Sequence, residues 1–123
     1  MKKSLFMVLF LVLLLFSVEG NAETPRTTLQ YYSPQSGNTI SGEAVTFEWN
    51  IHSWDTVKQV VISINGPGKN FEKIVFKGNE AKRRKHTVTG LQKNSTYIWS
   101  IWVETTKESG SFGKFPGYLF FTE

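Results

Sequence analysis

The chain has 123 residues, a net charge of +4 and no cysteine. That length fits one modest domain, and a charge this small falls short of the positive field carried by nucleic-acid binders. The lack of cysteine excludes disulfide staples, thiolate metal sites and a thiol nucleophile.

Lys2 and Lys3 give a positive start, followed by an unbroken apolar run from Leu5 to Phe16 and then small residues at Gly20 and Ala22. These are the parts of a secretory signal cleaved after Ala22. At about 1.5 Å per residue the apolar run reaches roughly 18 Å, short of the ~30 Å hydrocarbon layer, so stable membrane insertion is not expected after cleavage. With no cysteine at the cut, a lipid-modified N-terminus of the bacterial lipoprotein kind is excluded. The organisation expected is a signal over residues 1–22 and a single domain over 23–123. Losing Lys2, Lys3 and Glu19 leaves the domain at about +3, mildly basic.

Beyond the cut the pattern is that of strands. An opening strand is expected near Thr28 to Tyr32. Val45, Phe47 and Trp49 then alternate with polar neighbours, the mark of a strand with one wet face. Val60, Ile62 and Ile64 repeat that period before Gly66-Pro67-Gly68 turns the chain. Phe71 to Lys77 and Arg84 to Thr89 are the next two strands. Tyr97, Trp99, Ile101 and Val103 share one face of a strand whose other face carries Trp102. Tyr118 to Phe121 closes the set. Seven strands with turn-separated spacing and no helical period predict an all-β, antiparallel, immunoglobulin-like sandwich. Phe47, Trp49, Ile62, Tyr97, Trp99 and Ile101 are its expected core.

Several segments resemble one family. Val45-x-Phe47-x-Trp49 is similar to the second strand of fibronectin type III domains, and Leu91 to Tyr97 to the segment that supplies their tyrosine corner. Tyr97-x-Trp99-x-Ile101, Pro34-x-x-Gly37-x-x-Ile40 and Phe121-Thr122 resemble bacterial extracellular members. Lys93 departs from the usual proline and Ser95 from the usual threonine, neither at a core position. The likeness spans roughly residues 30 to 122.

The resemblance implies that three loops gather at one end: 52–56, 79–85 and 107–114. They would form a basic and aromatic pole from Trp54, Lys82, Arg83, Arg84, Lys85, Lys107, Phe112 and Lys114, with Phe115 just beyond. Other readings stay open. Four consecutive cations also suit a solvated loop or a guarded strand edge. Trp54 also suits a hydrophobic cap over the end of the core, and Trp102 suits either a ring covered by lysine stems or a partner surface.

Little here suggests catalysis. Asp55 is the sole aspartate and His52 and His86 the only histidines. No spacing gathers metal ligands, and Glu48, Glu72 and Glu104 sharing outward faces would imply no cleft. No cofactor or metal is expected, and no enzyme activity. Asn94-Ser95-Thr96 fits a glycosylation acceptor, relevant only in a eukaryotic source. The expectation is a secreted or periplasmic binding or adhesion module that recognises a protein partner through edge strands or the pole. A carbohydrate- or polyanion-binding module, and a structural spacer or assembly subunit, are the alternatives.

Overall fold

A computed structural model describes residues 25–112 and 117–123, so the segment read as a signal lies outside the described residues. The strands run β1 (Thr27–Ser33), β2 (Asn38–Ile40), β3 (Ala44–Ser53), β4 (Val57–Asn65), β5 (Glu72–Lys77), β6 (Lys85–Thr89), β7 (Thr96–Thr105), β8 (Ser109–Phe112) and β9 (Tyr118–Thr122). A short 3-10 helix, Gly78–Lys82, links β5 to β6. The smaller sheet has the order β1-β3-β6; the larger is β2-β9-β7-β4-β5, with β8 also on β7.

This is an immunoglobulin-like sandwich with the fibronectin type III strand order. The seven expected strands are present, and two short ones join them. β2 adds parallel to β9, while β8 and β9 pair with successive halves of β7. The turn from β7 to β8 is tight, closed by Thr105 N–H donating to Glu108 O at 2.8 Å. Phe112, expected in a loop, therefore stands in a strand opposite Ile101.

Period-two alternation places the core. Phe47, Trp49, Ile62, Tyr97, Trp99 and Ile101 are each at most 2% exposed. Phe47 and Trp99 lie 4.5 Å apart between ring centroids, and Tyr97 stacks on Phe120 at 5.6 Å. The buried indole N–H of Trp99 donates to Pro34 O at 3.0 Å, so its one polar atom is satisfied.

Two bulges break the alternation usefully. In β1 the register slips between Leu29 and Tyr31, which leaves Gln30 and Tyr31 both outside while Leu29 and Tyr32 pack on the core. In β4 it slips between Val57 and Gln59, so that Val57 turns inward although it is out of phase with Val60. Among the described residues no helix is long and apolar enough to cross a membrane.

At one end Tyr97 makes a tyrosine corner. Its hydroxyl accepts from Gln92 N–H at 2.9 Å and donates to Pro67 O at 2.8 Å. Two turns distant in sequence are thereby tied together, and the opposite end is left for the longer loops.

Candidate functional site

The cleft at that other end follows from a length mismatch. β6 pairs with β3 only as far as Glu48 opposite Lys85. Trp49 to Ser53 continue past it, and the 3-10 helix, packed against β4 and β5, stands across a gap from them. Trp49 N–H donates to Arg84 O at 2.9 Å, which fixes the chain leaving that helix. What remains is a hollow of about 360 Å³ with Trp49, Ile51, Val57 and Ala81 as its apolar wall and Thr56, Lys82, Arg83 and Arg84 as its polar side.

The four cations of the basic run have different tasks. Arg83 is committed: it pairs with Glu80 at 2.8 Å, donates Nε–H to Lys85 O at 3.3 Å, and lies 5.5 Å over the Phe76 ring. Lys82, Arg84 and Lys85 enter none of the ion pairs among the described residues. Arg84 also borders a second hollow of about 330 Å³, shared with Trp49, Tyr31, Asn50, Glu48 and Lys85. The two hollows meet at Trp49 and Arg84. Lys85 opens β6 and faces this second hollow, not the cleft.

Trp54 stands elsewhere on the same end. Its side chain is 61% exposed, which rules out a cap over the core. The Arg26 guanidinium sits 5.7 Å over its ring and binds Asp55 through both oxygens, at 2.6 and 2.9 Å. Trp54 N–H also donates to Arg26 O at 3.0 Å. That hydrogen-bonded pair holds the Asp55 carboxyl below its ordinary range, against the desolvation that would raise it; Lys107 adds to the lowering. The same pair raises Arg26.

The expected pole is thus divided. Thr56 and the Lys82–Arg84 segment share the cleft; Trp54 lies on Arg26 with Lys107 nearby; Phe112 packs half-buried against the core in β8. Lys114 and Phe115 fall outside the described residues. Trp102 is half-buried on the outer face of the larger sheet. The three glutamates do not share a face: Glu48 lies on the smaller sheet, Glu72 stands opposite Ile64 in phase with the inward residues of β5, and Glu104 stands opposite Gln59 in phase with the outward Trp102. His52 is exposed and His86 lies edge-on to Phe76 at 5.4 Å, so neither joins Asp55.

Sequence reasoning passed over Arg26, Val57 and Ala81. Ala81 is a small apolar residue among charges, and that contrast was the available signal for a chain segment folded back onto the core.

No protein-family model matches the chain, and no curated protein matches its sequence. Solved structures share the architecture at low identity. A structure described as a myokine is 11% identical over 65% of this chain and 97% of its own, with a TM-score of 0.44. CopC from Methylosinus trichosporium OB3b is 18% identical over 79% and 93%, with a TM-score of 0.47. The third fibronectin III domain of the human KIAA0343 protein is 13% identical over 86% and 93%, with a TM-score of 0.45. These likenesses concern architecture alone, which the strand order establishes independently.

Proposed function

We propose that the chain is an extracytoplasmic, non-enzymatic binding module whose cleft between the 3-10 helix and β3 holds an acidic, partly apolar segment of a protein partner. Export rests on the N-terminal pattern of Lys2, Lys3 and the Leu5 to Phe16 run. The observation that carries the reading is the cleft itself: an apolar wall of Ile51, Val57 and Ala81 rimmed by Lys82 and Arg84, two cations without a carboxylate partner among the described residues. A side chain seated on that wall is desolvated, and a carboxylate beside it meets charge-assisted donors.

A polyanion or charged surface glycan is the second reading, favoured by the junction of the two hollows at Arg84, which gives a path longer than one residue. Labelled peptides separate the two. In fluorescence anisotropy, peptides mixing Glu with Leu or Phe should bind more tightly than oligoglutamate of equal charge. Lys82→Ser with Arg84→Ser should weaken the mixed peptides by about tenfold or more, some 1.4 kcal/mol, and affinity should fall with added salt. Equal binding of oligoglutamate would favour the polyanion. Binding indifferent to both substitutions would remove the cleft from the account.

A further inference from the structure

The outer face of the larger sheet has an unusual composition for a surface exposed to water. Register places Lys73, Ser63 and Ser100 in one row across β5, β4 and β7, and Val75, Val61, Trp102 and Ser111 in the next. Soluble sheets usually cover such a face with long charged or polar side chains. Here the serines are short and their neighbours tall, so the serine row forms the floor of a trough. Two hollows, of about 420 and 260 Å³, meet there and share Ser63 and Ser100.

Phe71 closes one end. It is 64% exposed and holds a left-handed backbone with φ at +51°, a conformation that a bulky residue rarely adopts. Asn65 supports it, its side-chain oxygen accepting from Phe71 N–H at 3.0 Å. Exposed aromatic surface maintained on a strained backbone is the kind of feature that function retains.

We propose that this trough is a second binding site, independent of the cleft, for an acidic glycan chain. A pyranose ring offers a C–H face to Trp102 and Phe71, and its hydroxyls exchange hydrogen bonds with serine side chains that both donate and accept. Charge selects the acidic kind of sugar. Among the described residues Lys73 is the sole charged one lining the two hollows, no carboxylate lines them, and Lys73 enters none of the ion pairs. A uronic-acid carboxylate supplies its counterpart. A neutral glycan leaves that cation unmatched, and an apolar protein strand leaves the hydroxyl floor unmatched.

Calorimetric titration with oligogalacturonate, and with cello-oligosaccharide as the neutral control, tests the assignment. Oligogalacturonate should bind the purified protein, and Trp102→Ala and Lys73→Glu should each weaken it about tenfold or more. Lys73→Glu is a surface change that leaves the core intact, so it answers even if Trp102→Ala lowers stability. Lys82→Ser with Arg84→Ser should leave this binding unchanged, which keeps the two sites distinguishable. No binding of oligogalacturonate, equal binding of the neutral oligosaccharide, or binding indifferent to Lys73→Glu would each overturn the proposal.

Discussion

At the scale of single residues, the Arg26–Asp55 pair does the most for the loop end. It joins the start of β1 to the turn after β3 and gives the exposed Trp54 ring a cationic surface to rest on. Because the folded carboxyl is held below its ordinary range, its contribution to stability is complete above the unfolded range near ~4 and disappears as pH falls through the lower folded value. Asp55→Asn should therefore lower the melting temperature at neutral pH, and the gap from the unsubstituted protein should close as the pH drops below about 4. Melting curves at pH 7 and pH 3 check this; a gap that persists unchanged at pH 3 would exclude the ion pair as its source. Burial matters more than exposure for the rings. Phe47→Ala should cost about 3–5 kcal/mol in urea denaturation, whereas Phe71→Ala, at an exposed and strained position, should cost far less.

Among the elements, β7 organises the molecule. It carries Tyr97, Trp99, Ile101 and Val103 inward, pairs with β4, β8 and β9, and begins at the tyrosine corner. Tyr97→Phe removes a hydroxyl with two backbone partners, leaving Gln92 N–H and Pro67 O to find others, and should cost about 1–3 kcal/mol. Gly66→Ala should disturb the same corner from the other side, since an added Cβ would stand 2.3 Å from the Tyr97 ring. Chemical denaturation of the two single variants and the double variant should show strong non-additivity; simple addition of their costs would mean the two positions act separately. The strands of β3, β4 and β7 were legible because strict alternation of large apolar residues leaves one pairing face buried. The bulge at Lys58 was not, because it rephases Val57 by one residue, and only the sheet partner reveals the slip. β8 was hidden for a different reason: Ser109, Gly110 and Ser111 have no strand signature of their own, and pairing to β7 imposes one.

For the whole molecule, the sandwich sorts its surface into three parts: a closed end tied by Tyr97, a loop end with the cleft, and an outer sheet face with a trough. The sorting of loops between the two ends was legible once the strand order was. How the loop end divides was not, since Trp54 and the Lys82–Arg84 segment flank β3 on different sides, one beside β1 and the other where β6 stops short. The trough was foreshadowed by one fact alone, that Trp102 and Trp99 must face opposite ways; the serine floor depends on cross-strand register, which sequence spacing leaves undetermined.

Both surfaces exist only if alternation sends Trp49 and Trp99 inward and turns Trp102 outward, with Trp54 exposed beyond the end of β3 as the accessible reference, and acrylamide quenching of single Trp→Phe variants measures that directly. Trp54→Phe should remove the most readily quenched emission, Trp102→Phe a smaller accessible part, and Trp49→Phe or Trp99→Phe only protected emission. Loss of the readily quenched component on replacing Trp49 or Trp99 would contradict the account at its base.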